Sequence, residues 1–201
     1  MVRRKRTSMK RVTLGDKVFK PFISTPHLEQ VTRDIAASLN EKFKHETEPV
    51  LFVTVLNGAV PFASSLFTKL KFPVLFDTVK VKSYEGTERG DLEFQKHPDN
   101  PVRDKKVIIV EDIIDTGVTI DYLKKYFTNY GAVDVTVAAL LFKIEVYKKY
   151  HPDFSHWGFL SGNYSRDLMI GIEIGDDFVV GYGLDYNSLG RNLNKIYVLD
   201  E

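Results

Sequence analysis

The sequence predicts an α/β fold: a mainly parallel central sheet flanked by helices, with a small C-terminal hood beside it. Three observations predict it. Apolar runs of strand length alternate with segments of helical period. The run at 49–57 is continuously apolar, as a strand covered on both faces is. After residue 153 the pattern changes to short strand-like pieces with few helical signals.

The elements follow in chain order. "STPHLEQVTRDIAASLNEKF" reads as a helix. Ser24 or Thr25 can cap it, Pro26 suits its first turn, and Leu28, Val31, Ile35, Leu39 and Phe43 recur at helical spacing. "PVLFVTVLN" is a buried strand, and "GAVPFASSLFTKL" is a loop entering a helix. "FPVLFDTVKVKSY" alternates toward its end, like a strand leaving the core. The polar stretch 85–105, with Gly86, Gly90, Pro98 and Pro101, reads as a long mobile loop of the kind that often serves as a lid. "KKVIIVED" is the next buried strand, "VTIDYLKKYFTNYGA" a helix ending near Gly131, and "VDVTVAALLFK" a further strand. "DFSHWGFL", "MIGIEI" and "DFVVGYGLDY" are expected to build the hood, from about residue 154 to 201.

A chain of 201 residues, 43% hydrophobic, can bury one substantial core, so residues 12–201 are expected to form one domain. The net charge of +1 favours neither an acidic nor a basic partner. Residues 1–11 differ. Arg3, Arg4, Lys5, Arg6, Lys10 and Arg11 crowd there without an acid, which reads as a solvated, disordered tail. No aromatic side chain interleaves these charges, so a nucleic-acid arm is disfavoured. No apolar run has signal-peptide or membrane-spanning length, and the cytoplasm is the default expectation. The absence of cysteine excludes disulfides, thiolate zinc sites and thiol nucleophiles. His27, His45, His97, His151 and His156 have no zinc-ligand spacing and receive no role.

The chemistry concentrates in "VIIVEDIIDTGVTI", residues 107–120. Glu111 and Asp112 come where a buried strand is expected to emerge, and alternation of side chains should turn at least one toward the crevice. "DTGVT" then turns into a helix. Its free backbone N–H groups, with the hydroxyls of Thr116 and Thr119, suit a phosphate monoester. The neighbouring acids would repel that phosphate unless they bind ribose hydroxyls or a divalent cation. A phosphorylated sugar with a metal satisfies both. Walker A chemistry fails, because Val118 stands where its lysine belongs, and there is no G-x-G-x-x-G.

"VIIVEDIIDTG" resembles the PRPP-binding signature of type I phosphoribosyltransferases, and its Glu-Asp-Ile-Ile-Asp core resembles the hypoxanthine-guanine branch. From about residue 12 onward, three further segments agree in order. "KSY" (82–84) resembles the branch's catalytic loop, "LLFK" (140–143) its base-recognition lysine, and "FVVGYGLDYN" (178–187) its purine-binding hood. The resemblance implies that Glu111 and Asp112 bind the ribose hydroxyls of PRPP. It implies that Asp115, Thr116, Gly117, Val118 and Thr119 hold the 5′-phosphate, and that Asp115 lies near purine N7 as base or hydrogen-bond partner. Otherwise Asp115 reads as a helix cap.

Lys143 on its own reads as a snorkelling surface lysine; the resemblance makes it the donor to a purine 6-oxo group. Phe178 alone is a core aromatic. By resemblance it stacks on the purine while Val179 contacts the base edge with its backbone. Asp185, a turn acid in isolation, becomes a Mg²⁺ ligand near the base, with Glu111 and Asp112 as further candidates. Arg191 would neutralise pyrophosphate. Ser83 and Tyr84 would open a loop that closes over the reaction centre and excludes water.

Two departures stand out. "GTERG", containing Glu88 and Arg89, replaces the usual Ser-Thr-Gly of that loop. "LNGA" (56–59) replaces Leu-Lys-Gly-Gly of the pyrophosphate loop, which often has a non-proline cis bond, so Asn57 and Gly58 should bind with backbone donors and one charge fewer. The resemblance therefore implies a Mg²⁺-dependent purine salvage enzyme acting on PRPP and 6-oxo purines, as a homodimer or homotetramer. The rivals are a PRPP-sensing regulator that binds nucleic acid on the same fold, and a transferase for another base such as xanthine or a pyrimidine.

Overall fold

The computed structural model describes residues 10–83, 92–153 and 167–200. A six-stranded sheet runs in the order β5-β4-β3-β6-β7-β8. Its strands are β3 (Val50–Val55), β4 (Val74–Ser83), β5 (Leu92–Lys96), β6 (Lys106–Ile114), β7 (Asp134–Lys143) and β8 (Leu168–Ile174). All pair in parallel except β5, which is antiparallel to β4.

Alternation explains why β3 and β6 are apolar throughout. Phe52, Ile108 and Val110 face α1 (Thr25–Lys42) and α2 (Val60–Phe67) on one side. Leu51, Val53, Val107 and Ile109 face α3 (Val118–Asn129) on the other. Fully burying such a side chain contributes roughly 1.5–3 kcal/mol, so a charge on either face would break the sheet. Helix α1 buries Leu28, Val31, Thr32, Ile35, Ala36 and Leu39, the expected stripe. Its cap differs from expectation. Ser24 sits at the N-cap without a side-chain bond, and the Thr25 hydroxyl instead donates to the Asn194 carbonyl at 2.7 Å.

The second sheet is four-stranded and antiparallel, in the order β1-β2-β10-β9. It joins β1 (Val12–Leu14) and β2 (Lys17–Ile23) to β9 (Val179–Val180) and β10 (Ile196–Leu199). The hood is thus built from both ends of the described chain, not from its C-terminal part alone. "MIGIEI", expected in the hood, instead forms β8 and extends the main sheet from β7. "DFSHWGFL" lies outside the described residues apart from Asp153, as does the basic tail through residue 9.

The stretch 85–105 is not one long loop. Residues 92–96 pair with β4, and Phe94 packs on Tyr122 and Tyr126 of α3. The Asp77 carboxylate then holds the following turn. Positions 85–91 of the expected lid are outside the described residues. A short helix, α4 (Ile144–Tyr150), follows β7 directly.

Candidate active site

The topology locates the crevice. From β3 the chain goes first to β4 on one side, then crosses to β6 on the other. The strand order therefore reverses between β3 and β6, and ligands in open α/β sheets bind beyond the strand ends at such a point. Residues 56–58 leave β3 there, and Glu111 and Asp112 lie near the end of β6.

Both acids stay inside the strand. The ladder to β7 continues through Ile114, so β6 does not emerge at Glu111, and Glu111 and Asp112 are 7% and 9% exposed. The expectation of an emerging strand end is corrected here. Pairing with β7 carries the strand past them although the β3 ladder stops at Val110, and the two carboxylates are carried inward with it. Burial pushes the Glu111 carboxyl well above its usual range, and the adjacent Asp112 charge and side-chain hydrogen bond push it the same way, against the opposing bond from the Asp112 backbone N–H. Such a pair is relieved by a diol or a cation.

Gly58 is buried against it. A β-carbon there would lie 1.7 Å from Asp112 Oδ2, so only glycine lets the loop meet the acid. The Leu56–Asn57 bond is cis, as the resemblance implied, and Asn57 is exposed. Gly183 of the hood packs against the Gly58 carbonyl, which brings the third segment to the same place.

Gly117, not Asp115, is the N-cap of α3, with φ +84° and no side-chain cap. The cap reading of Asp115 is thereby excluded. The first turn of α3 begins beside an open cavity of about 610 Å³ lined by Lys82, Leu92, Thr116, Val118, Thr119 and Tyr150, among others. Unsatisfied N–H groups at a helix start favour anions. Asp115 is half-exposed, and its Oδ2 lies 3.5 Å from Lys143 Nζ.

Lys143 does not snorkel. It is 8% exposed at the end of β7, and its ammonium sits between Asp115 and Asp176, 3.4 Å from Asp176 Oδ1. Asp176 escaped the sequence reading. Only the register pairing Lys143 with Ile174 brings it beside the lysine.

The hood side chains converge less tightly. Phe178 is 43% exposed, with Phe19, Tyr186 and the Lys17 ammonium around it, and Val179 is buried. Arg191 is tied to Asp185 at 2.6 Å and to the Gly183 carbonyl at 2.7 Å. The Asp185 carboxylate also accepts the Ser188 N–H at 2.7 Å. Ser83 ends β4, and Tyr84 lies outside the described residues.

Comparison with known proteins agrees with this layout. The family described as "Phosphoribosyl transferase domain" matches residues 23–159. The chain belongs to the phosphoribosyltransferase family. It is 32% identical over 182 residues to the hypoxanthine-guanine phosphoribosyltransferase of Bacillus subtilis, covering 90% of this chain and 92% of that protein. It is 33% identical over 190 residues to the Streptococcus agalactiae protein of the same name, covering 94% and 97%. A crystal structure of a hypoxanthine-guanine phosphoribosyltransferase from Bacillus anthracis superposes with a TM-score of 0.74 at 30% identity, covering 90% of this chain and 96% of that one.

The donor set suits a phosphoribosyltransferase metal bound together with its substrate. Among the described residues no cluster of three His, Asp or Glu side chains could hold an ion alone. Mg²⁺ needs only one or two carboxylates, taking its other ligands from water and substrate oxygens. The adjacent Glu111–Asp112 pair and Asp185 are carboxylates whose chemistry would fit such an ion.

Proposed function

We propose that this phosphoribosyltransferase transfers the 5-phosphoribosyl group of PRPP to hypoxanthine or guanine, giving IMP or GMP and pyrophosphate. The observation that carries the choice of base is Lys143, a buried ammonium held 3.5 Å from Asp115. A fixed donor beside a carboxylate matches a purine edge with an acceptor at O6 and a proton at N7. The bond from ribose C1 to the pyrophosphate oxygen breaks, the C1–N9 bond forms, and the N7 proton passes to Asp115.

Glu111 and Asp112 hold the ribose diol. Thr116, Thr119 and the backbone amides beginning α3 hold the 5′-phosphate. The Asn57–Gly58 loop and Arg191 face the pyrophosphate, Phe178 stacks on the base, and Val179 meets its edge. Mg²⁺, held by Asp185 or by the Glu111–Asp112 pair together with substrate and water oxygens, would supply charge for the departing pyrophosphate. The reading also includes a homodimer or homotetramer in the cytoplasm. The exposed Val60, Phe67 and Phe76 support assembly, and sedimentation tests it. No helix among the described residues is long and apolar enough to cross a membrane. The test of function is a screen of purine and pyrimidine bases with PRPP and Mg²⁺, following pyrophosphate release. Absence of release with every base would overturn the reading.

Base choice should rest on Lys143. A 6-amino purine meets the ammonium donor to donor, and an unpaired buried donor costs roughly 1–3 kcal/mol, about ten- to a hundredfold in specificity. Wild-type protein should use hypoxanthine or guanine and reject adenine. Lys143→Gln should lose much of that activity and narrow the gap, with PRPP affinity by calorimetry little changed. Full discrimination in the variant would remove Lys143 from base selection.

The double change Glu111→Gln, Asp112→Asn should raise the KM for PRPP about tenfold or more and the KM for the purine far less, because the pair would meet the ribose and the metal that comes with PRPP, not the base. Stability should not fall with it. The folded Glu111 carboxyl is raised, so its contribution is fully present below the unfolded value and is lost as pH rises through the folded one. The amide variant escapes that loss, and its thermal midpoint at neutral pH should equal or exceed the wild type's. Equal weakening of both substrates would count against the assignment.

A further inference from the structure

The phosphate turn has a second neighbour, α4 with the residue that follows it. His151 Nε2 lies 3.0 Å from the Thr116 carbonyl and 3.4 Å from Asp121 Oδ2. Both partners are acceptors, so Nε2 carries the proton and donates. The imidazole is itself held. The Tyr147 ring stacks on it at 3.9 Å with planes 14° apart, and Phe142 at the end of β7 meets Tyr147 edge-on at 5.1 Å. Contact with the turn is close. A β-carbon on Gly117 would lie 2.3 Å from the Tyr147 ring and 2.8 Å from His151 Nε2.

We propose that His151 is a positioning residue for the 5′-phosphate turn, fixing the Thr116–Gly117 peptide so that the Gly117 N–H faces the phosphate. The proposal rests on the phosphoribosyl transfer reading. Its physical basis is peptide planarity. In a trans peptide the C=O and N–H point in opposite directions. A donor that holds the Thr116 oxygen therefore aims the Gly117 N–H away from the His151 imidazole, and the flanking Thr116, Val118 and Thr119 line the cavity together with Tyr150 of α4.

Gly117, at positive φ, leaves this peptide few steric constraints of its own. An external hydrogen bond is what selects one orientation before the ligand arrives, and such preorganisation reduces what binding must spend on ordering. The same N–H group engages Asp121, an acid in the first turn of α3 that would otherwise oppose an anion.

The test uses the full chain with His151→Phe, which keeps a ring on Tyr147 and removes the donor, and His151→Gln, whose amide nitrogen can replace Nε2–H. The Phe variant should raise the KM for PRPP about tenfold, the order of one hydrogen bond to a charged group. The KM for hypoxanthine and kcat should change much less, and Gln should restore most of the PRPP KM. Calorimetry with ribose 5-phosphate should follow the same order. In wild-type protein the His151 Nε2–H should appear by NMR as a slowly exchanging imidazole proton, a readout independent of variant folding. Equal losses in both variants, a loss spread over base and PRPP alike, or a rapidly exchanging Nε2–H would overturn the proposal. If wild-type protein releases no pyrophosphate with any base, the transfer reading fails, and the ribose 5-phosphate and NMR results decide the role of His151 separately.

Discussion

Asp115→Asn should lower kcat by about 10²–10⁴-fold, the range for removing a positioned general base. The side chain is the only carboxylate placed both at the phosphate turn and beside Lys143, among the described residues. Asparagine keeps its volume and can still meet the ammonium through its carbonyl, but it cannot take the N7 proton. Stability should hardly change. Asp115 is half-exposed, and Lys143 retains Asp176 as a second partner. The KM for PRPP should also stay near the wild-type value, because the contacts proposed for the ribose diol are Glu111 and Asp112. Steady-state kinetics with hypoxanthine and PRPP, beside a thermal melt, separates these effects. A kcat within tenfold of wild type would mean that Asp115 only orients the base and that the proton leaves by another route.

The parts of this site legible in the sequence are those whose residues lie close along the chain. The run from Glu111 to Thr119 carries its own strand end, turn and helix start, so that local geometry could be read from nine residues. The central strands were legible for a related reason. A strand buried on both faces has no polar alternation to confuse it. Lys143 marks where such reading stops. Its position at a strand end is visible, but its two carboxylate partners depend on β6 and β8 lying in register on either side, which bring Asp115 and Asp176 beside it. Asp176 and His151 carry no local motif at all. Each acquires a partner only when a distant segment folds against it.

The acids themselves show a subtler limit. Alternation rightly assigns Glu111 and Asp112 to opposite faces of β6, yet both are buried. Alternation says which way a side chain points, not what covers it. Here Gly58, arriving from β3, closes over Asp112 so tightly that no β-carbon fits. The hood is hidden from the sequence for the same kind of reason. Short antiparallel strands such as β9 and β10 carry little periodic signal, and their partners β1 and β2 lie at the other end of the described chain.

Asp77→Ala should destabilise the protein by about 3 kcal/mol, a value set by orphaned buried donors. The Asp77 side chain is 1% exposed on β4. It accepts the backbone N–H groups of Thr78 at 2.7 Å, Asp99 at 2.9 Å and Asn100 at 2.8 Å, and the Asn100 amide at 2.9 Å, with Lys96 Nζ at 3.6 Å. These bonds fold the chain after β5 back onto β4, the strand that leads to Ser83. A loss of that size in a domain this long should lower the thermal midpoint by roughly 6–12 °C.

Acid should reveal the same group. Burial alone would raise the Asp77 carboxyl, but hydrogen bonds from Asn100, Thr78 and Asp99 outweigh it and hold the carboxyl below its usual range. A depressed folded value contributes stability above the unfolded pKa of about 3.9 and loses it as pH falls through the folded one. The stability gap between wild type and Asp77→Asn, which turns an amide toward those donors, should therefore be level at neutral pH and close in acid. Denaturant melts across that range measure it. A gap that stays constant into strong acid, or an Asp77→Ala variant as stable as wild type, would show that the turn after β5 holds itself without the carboxylate.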